Sequence, residues 1–96
     1  MNPESRIEQA FFRWCSQQSI PCLKVKAVGV RGFPDRMVLL PGKVVFIEFK
    51  TPTGVLSEHQ IRCHARLKSL GLEIHVCRSK EEAINAIAPQ LPKPRN

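Results

Sequence analysis

The chain has 96 residues, a mass of 10.9 kDa and a formal net charge of +7. A chain of this size has room for one hydrophobic core and not for two, and its 43% content of hydrophobic residues argues against disorder. Fifteen Lys and Arg residues against eight Asp and Glu residues favour a polyanionic partner over a cationic or neutral one. The sequence lacks both the ~20-residue apolar run of a membrane span and a signal-peptide pattern, so we expect a cytoplasmic protein without a membrane partner.

The first part of the sequence predicts a helix and then a strand. Apolar residues recur between Ile7 and Cys15 at the spacing of one buried helical stripe, which predicts a helix over residues 3–18. Residues 23–27 alternate between apolar side chains and lysines, as in a strand with one cationic face. A loop over residues 29–34 follows.

The middle of the sequence predicts a hairpin. We expect a second strand over residues 35–40, a tight turn at Pro41 and Gly42, and a third strand over residues 43–50. Because residues 44–47 are apolar on both faces, the third strand is expected to be central in its sheet.

The remaining elements complete an αβββαβα order. Ser57 is expected to cap a second helix that ends near residue 71 and carries Gln60 and His64 on its inward side. A fourth strand over residues 73–77 and a last helix capped by Ser79 follow.

This order predicts an α/β sandwich around a small mixed sheet. We expect residues 1–88 to form a single domain. Residues 89–96, with three prolines, one lysine and one arginine, are expected to form a flexible tail.

The cysteines and histidines are not spaced as zinc ligands. The four cysteines (Cys15, Cys22, Cys63 and Cys77) form no C-x-x-C pair, and the three histidines have no zinc-like spacing to them. We therefore expect reduced thiols and no structural zinc site.

The acidic residues are unevenly distributed. Residues 9–57 contain seven basic residues but only two acids, Asp35 and Glu48. Period-2 alternation places Glu48 and Lys50 on one face of the third strand and Phe49 on the other. The predicted hairpin brings the start of the second strand beside the end of the third, so we expect Asp35 and Glu48 to be neighbours.

Two carboxylates at the open end of a sheet suit Mg²⁺ or Mn²⁺. Such an ion can bind a phosphate oxygen and acidify a water molecule, while Lys50 orients or deprotonates that water or stabilises the pentacovalent state. A simpler interpretation makes Glu48 and Lys50 ordinary polar residues of a half-exposed strand. A Glu that closes a run of four large apolar residues is, however, expected to be partly buried, which is costly without a cation.

These residues carry a family resemblance. Phe33-Pro34-Asp35, followed after a hairpin by Glu48-Phe49-Lys50, resembles the PD-(D/E)xK nuclease signature. Leu56-Ser57-Glu58-His59-Gln60 resembles a further motif of its VRR-NUC branch, the virus-type replication-repair nuclease domain. The similarity spans residues 4–77 and implies a restriction-endonuclease-like fold.

The resemblance also implies roles for individual residues. Asp35 and Glu48 would bind Mg²⁺ or Mn²⁺ together with the main-chain carbonyl of Phe49, and Lys50 would assist catalysis. Two further residues would complete the site. One is Glu8 of the first helix, which would support the metal through water or from the second layer of contacts; it could instead form a capping box with Ser5, and Glu4, one turn earlier on nearly the same face, is the second choice. The other is Gln60, which is also placed to form a capping box with Ser57.

The basic residues around the proposed site are candidates for DNA binding. Lys24, Lys26, Arg31, Arg36 and Lys43 are expected to contact backbone phosphates, with little dependence on base sequence. Arg62, Arg66 and Lys68 on the second helix are explained equally well as a solvated helix face.

The resemblance to stand-alone phage and bacterial members of the family implies a metal-dependent, structure-selective endonuclease that acts in DNA repair. Such members resemble Holliday-junction resolvases, so a homodimer that cuts four-way junctions is expected, with no small-molecule cofactor. Ile61 and Ala65 are candidates for the dimer contact. Two alternatives stay open, namely a non-catalytic nucleic-acid-binding module and a sequence-specific restriction enzyme.

Overall fold

The computed structural model describes residues 2–92 of the chain. The elements are α1 (Pro3–Gln17), β1 (Cys22–Lys24), β2 (Arg36–Leu40), β3 (Lys43–Phe49), α2 (Glu58–Ser69), β4 (Glu73–Cys77), α3 (Lys80–Ile87) and a short 3₁₀ helix (Ala88–Gln90). The predicted αβββαβα order and the mixed α/β fold are confirmed. No helix within residues 2–92 is long and apolar enough to cross a membrane.

The four strands form one mixed sheet in the order β1-β2-β3-β4. The β1–β2 and β2–β3 pairs are antiparallel, and β4 lies parallel to β3. A parallel pair needs a long crossover connection, and α2 supplies it. β3 is therefore an inner strand, as its apolar residues predicted, and its residues 45–49 are buried.

Helices cover both faces of the sheet. Alternation along β3 turns Val45, Ile47 and Phe49 towards α1 and α3, where Phe11 packs with its ring centroid 5.7 Å from that of Phe49. Glu48 lies on the opposite face, which α2 covers. The sheet therefore separates a mainly apolar layer, which also holds one buried ion pair, from the layer under α2 that contains Glu48.

The hairpin register places the start of β2 against the end of β3. Arg36 pairs with Ile47, so the same register continued by one residue sets Asp35 opposite Glu48. In the structure β2 begins at Arg36 rather than at Asp35. At this end of the sheet it is the side chain of Asp35 that accepts a hydrogen bond from the backbone N–H of Phe49.

The first strand is shorter than the predicted residues 23–27. β1 ends at Lys24 because Lys24 pairs with Arg36, the first residue of the neighbouring strand β2. One further backbone hydrogen bond joins Val25 N–H to the carbonyl of Asp35. The alternation that predicted a longer strand did not mark a buried face, since Leu23 is 43% exposed. Residues 25–35 instead form a loop that leads back to the end of the sheet.

The segment predicted to be a flexible tail begins differently in the structure. Residues 88–90 form the 3₁₀ helix, and Leu91 packs against the hydrophobic core. The apolar side chain of Leu91 gives this segment surface to bury, which a count of prolines does not reveal. Residues 93–96 lie outside the described residues.

Gly32 fixes the distance between the 25–35 loop and the start of α2. Its φ of +80° lies in the left-handed region, and a Cβ at this position would overlap the backbone carbonyl of His59. Gly29 in the same loop has a φ of +79° but open space around the Cβ position. The two glycines therefore differ in steric surroundings and not in backbone conformation.

We expect Gly32→Ala to be more damaging than Gly29→Ala. The left-handed backbone alone costs an alanine about 1–2 kcal/mol at either position, and only Gly32→Ala must also push α2 away from the loop. Denaturant unfolding would measure both variants against the unsubstituted chain. Equal losses of stability would contradict the tight contact between Gly32 and His59.

Candidate active site

Three carboxylates meet at the end of β3. Glu4 of α1, Asp35 before β2 and Glu48 of β3 each offer an oxygen atom, and these atoms lie within 4.8 Å of one another. Glu48 is 1% exposed, whereas Glu4 and Asp35 are half-buried. Because Glu48 is almost inaccessible to solvent, the cluster is not simply a solvated acidic face.

Hydrogen bonds orient two of the carboxylates. The backbone N–H of Phe49 donates to Oδ2 of Asp35 at 2.9 Å, and Nε2 of Gln60 donates to Oε2 of Glu48 at 3.1 Å. Oε1 of Glu48 is buried and has no hydrogen-bond partner. A buried carboxylate oxygen without a donor is costly, and hard oxygen donors of this kind fit Mg²⁺ or Mn²⁺. The residues present therefore fit a divalent cation.

The electrostatics of the cluster lead to the same conclusion. Burial, followed by the nearby charge of Asp35, raises the pKa of Glu48 to about 8. Lys50 acts in the opposite direction, and Glu4 adds a smaller increase. A bound cation would remove the penalty on the ionised form of Glu48.

Lys50 immediately follows β3, and the next residues are held by Arg78. The Lys50 N–H donates to the carbonyl of Cys77 at 3.1 Å. Nη1 of Arg78 donates to the carbonyls of Thr51 and Gly54 at 2.7 and 2.6 Å. Arg78 thus fixes the segment after Lys50, a positioning role that the sequence did not reveal because nothing in its spacing links Arg78 to residues 51–54.

Gln60 makes the capping box predicted for it and also lies beside the site. Its backbone N–H donates to Oγ of Ser57 and its side-chain Oε1 accepts from Ser57 N–H, which completes a capping box. Its Nε2 is then directed at Glu48. The helix cap therefore fixes the side chain that orients a carboxylate of the cluster.

His64 is a further residue of this site. It lies one turn after Gln60 on α2, is 4% exposed, and has Nε2 3.7 Å from Oε1 of Glu48. Burial, with a smaller effect of Lys68, lowers the pKa of His64, so the imidazole is uncharged at neutral pH. The sequence placed His64 on the same face as Gln60, and that i, i+4 spacing was the signal for its proximity to Glu48.

Glu8 does not join the carboxylate cluster, which corrects its predicted placement. Its Oε2 accepts from Nζ of Lys24 at 2.6 Å and from Nε of Arg36 at 2.7 Å. The alternative acid of the first helix, Glu4, lies in the cluster instead. Glu8 faces the sheet, as its position on the helical wheel predicted, but what it meets there is a buried guanidinium.

Arg36 and Lys43 are not placed as the DNA contacts predicted for them. Arg36 is 5% exposed, donates to the carbonyl of Cys22 and lies 4.8 Å from the ring centroid of Phe12. Lys43 pairs with Glu73 at the start of β3, at the opposite end of the strand from Glu48. At about 3.3 Å per residue this is a separation on the order of 15 Å.

The other three predicted contacts lie near the site end of the sheet. Lys24, the last residue of β1, is half-exposed but paired with Glu8. Lys26 and Arg31 are exposed on the loop that leads to Asp35, and Nη1 of Arg31 lies 3.4 Å from Nε2 of His59. The carbonyl of Phe49 stays a predicted ligand.

This protein has a mixed sheet with carboxylates and a lysine at the end of its inner hairpin strand. That arrangement is the one expected of a PD-(D/E)xK-like nuclease fold. Comparison with known proteins identifies the branch. The model of the VRR-NUC domain family matches residues 2–81, so the chain belongs to the VRR-NUC family and is a nuclease domain.

Two individual proteins are similar to this chain. The chain is 42% identical over 67 residues to "Putative nuclease p44" of Acyrthosiphon pisum secondary endosymbiont phage 1. The aligned residues cover 69% of this chain and 70% of that protein. A solved structure described as a VRR_NUC domain superposes with a TM-score of 0.78 over 93% of this chain and 97% of its own. It is 24% identical and shows the same fold.

The pKa of Glu48 generates a prediction for the metal-free protein. The folded pKa of about 8 lies above the ordinary value of 4.5, so the folded protein holds a proton that the unfolded chain releases. The stability that this proton contributes is present below pH 4.5 and is lost as the pH rises towards 8. The loss is up to about 1.4 kcal/mol per pH unit.

We therefore expect Glu48→Gln to melt at a higher temperature than the unsubstituted protein in EDTA at pH 8, with the difference shrinking towards pH 5. Thermal melts followed by circular dichroism would measure this. Added Mn²⁺ at pH 8 should stabilise the unsubstituted protein more than Glu48→Gln. A melting-temperature difference that does not vary with pH would contradict the raised pKa of the buried Glu48 carboxyl.

Proposed function

We propose that this protein is a Mg²⁺- or Mn²⁺-dependent endonuclease that hydrolyses phosphodiester bonds in DNA. The observation that carries the proposal is the cluster of Glu4, Asp35 and Glu48 beside Lys50 on a strongly basic chain. The membership of the VRR-NUC family supports the nuclease activity.

Glu4, Asp35 and Glu48 would hold the ion, together with the carbonyl of Phe49. The ion supplies Lewis acidity towards the scissile phosphate and lowers the pKa of a bound water. Asp35 and Glu48 are oriented before any ligand arrives, since Phe49 N–H and the Gln60 amide hold one oxygen of each. This preorganisation removes the need to reorient them during the reaction.

Lys50 would act on the attacking water and on the developing negative charge. It follows Glu48 by two residues, and its charge acts on that carboxylate. A neutral Lys50 amine would deprotonate the water, whereas a Lys50 ammonium group would orient it and stabilise the charge that builds on the phosphate. The carbonyl contacts of Arg78 keep the segment after Lys50 from moving away.

We further propose that the substrate is branched DNA, such as a four-way junction, and that the enzyme acts as a homodimer in a bacterial or phage-infected cell. A domain with 6339 Å² of accessible surface has little room to grasp a junction alone, and twofold symmetry would provide two sites for paired cuts. Ile61, 54% exposed, and Ala65, also exposed, stay candidates for the dimer contact on α2.

The main test is cleavage of labelled DNA. With Mg²⁺ or Mn²⁺ we expect four-way junctions to be cut in preference to flaps and linear duplex, and Asp35→Asn, Glu48→Gln and Lys50→Met each to lose at least about 10²-fold in rate. Gel assays with 5′-labelled substrates would measure this.

The alternatives predict other results. Binding without cleavage under all metal conditions would indicate a non-catalytic module. Discrete fragments from plasmid DNA without a preference for branches would indicate a sequence-specific enzyme. Unchanged cleavage by Asp35→Asn or Glu48→Gln would show that the site is elsewhere.

Glu4 and Glu8 offer a matched pair for the first helix. We expect Glu4→Gln to weaken Mn²⁺ binding, measured by calorimetry, while the melting temperature in EDTA is retained. Glu8→Gln should instead leave Arg36 without its anionic partner and lower the stability by up to about 3–5 kcal/mol. Loss of Mn²⁺ binding in Glu8→Gln but not in Glu4→Gln would overturn the structural assignment of the two acids.

A further inference from the structure

A groove lies between the 25–35 loop and α2. It has a volume of about 500 Å³. Phe33, Cys63 and Leu67, all half-buried, contribute an apolar floor. Arg31 from the loop and Arg62 and Arg66 from α2 contribute its cations. We call this feature the arginine groove.

The charge of the arginine groove is not balanced by its own lining. Arg62 and Arg66 lie one helical turn apart on the same face of α2, opposite Arg31 on the loop, and all three are exposed. None of the residues that line the groove is acidic. The closest carboxylate to Arg62 is that of Glu58 at 3.8 Å, and its side chain is 88% exposed. Three arginines that line one groove therefore create a site for an anion.

The loop and the helix that form the arginine groove also carry residues of the carboxylate site. The loop that carries Arg31 ends at Asp35, and α2, which carries Arg62 and Arg66, also carries the Gln60 amide that binds Glu48. Gly32 and His59 hold the two walls in contact. A polyanionic chain bound in the groove is thereby led towards the carboxylates.

We propose that the arginine groove binds one strand of the DNA substrate. Its phosphates contact Arg31, Arg62 and Arg66, and its sugars and base faces lie on the apolar floor. A cationic groove with an apolar or aromatic floor is the arrangement that binds a nucleic-acid strand irrespective of sequence. This assignment rests on the proposed function, and it assigns the contact to Arg62 and Arg66 in place of the buried Arg36 and the distant Lys43.

The test compares two double variants that each remove two exposed cations. Arg62→Ser with Arg66→Ser alters the groove, while Arg13→Ser with Lys68→Ser alters α1 and a part of α2 outside it. Binding of a fluorescein-labelled oligonucleotide would be followed by anisotropy in EDTA over a series of NaCl concentrations. Melting temperature, Mn²⁺ binding and mass by light scattering would be recorded for each protein.

We expect the groove variant to bind about tenfold more weakly, and the slope of log K against log[salt] to be smaller by about 1.4–1.8, as for two lost phosphate contacts. The control should change by less than threefold, and both should fold and bind Mn²⁺ normally. Equally weakened DNA binding by the two variants would mean that the loss of net positive charge alone explains the effect, and it would overturn the proposal. Loss of binding that accompanies conversion of a dimer to a monomer would also overturn it, because the groove would then be an interface between two copies.

The proposed function and this inference fail separately. If the unsubstituted protein cuts no DNA but binds it in a way that requires Arg62 and Arg66, the inference holds and the nuclease proposal fails. If the protein cuts DNA and the groove variant binds as well as the control, the nuclease proposal holds and the inference fails.

Discussion

Glu48 is a nearly inaccessible carboxylate in the inner strand of a small sheet, and this placement constrains the elements around it. The run of buried residues from Val45 to Phe49 makes β3 an inner strand, and strand alternation turns Glu48 away from the apolar layer. The helix α2 must then present polar groups to the sheet, which it does with Gln60 and His64. The burial of one acid thus accounts for the polar inner face of a helix that otherwise covers a hydrophobic sheet.

Two clusters of charged residues at the sheet have different environments. Glu8, Arg36 and Lys24 neutralise one another between α1 and the sheet, so their charges stabilise the packing. Glu4, Asp35 and Glu48 accumulate negative charge without an arginine among them, which raises the pKa of Glu48. The first set is paired as it stands, whereas the second would gain stability from a divalent cation, as the proposed function requires.

Much of this site was predictable from local sequence rules. The hairpin register and the two-residue period of strands were enough to bring Asp35, Glu48 and Lys50 together, and the capping-box spacing was enough to direct Gln60 inward. These predictions worked because they depend on residues close in sequence or joined by a two-residue turn. Once the turn of a hairpin is placed, its register leaves little freedom in which residues of the two strands lie opposite one another.

The predictions that failed depend on packing between distant elements. A helical wheel shows that Glu8 faces the sheet but not that Arg36 is buried there, so the choice between Glu4 and Glu8 required the position of α1 along the sheet. Lys43 was predicted to lie near the site because it belongs to the same strand as Glu48, but the two residues lie at opposite ends of that strand. The 3.7 Å approach of His64 to Glu48 likewise depends on how far α2 lies along β3.

The helix α2 links the chemistry of the site to the recognition of its substrate. Its inward face supplies Gln60 and His64 to Glu48, and its outward face supplies Arg62 and Arg66 to the arginine groove. The backbone contact at Gly32 fixes the helix relative to the loop that ends at Asp35. A displacement of α2 would therefore change the orientation of Glu48 and the width of the groove together. In this arrangement a strand held by the guanidinium groups stabilises the same helix position that orients the carboxylate, so substrate binding and the geometry of the carboxylates favour one another.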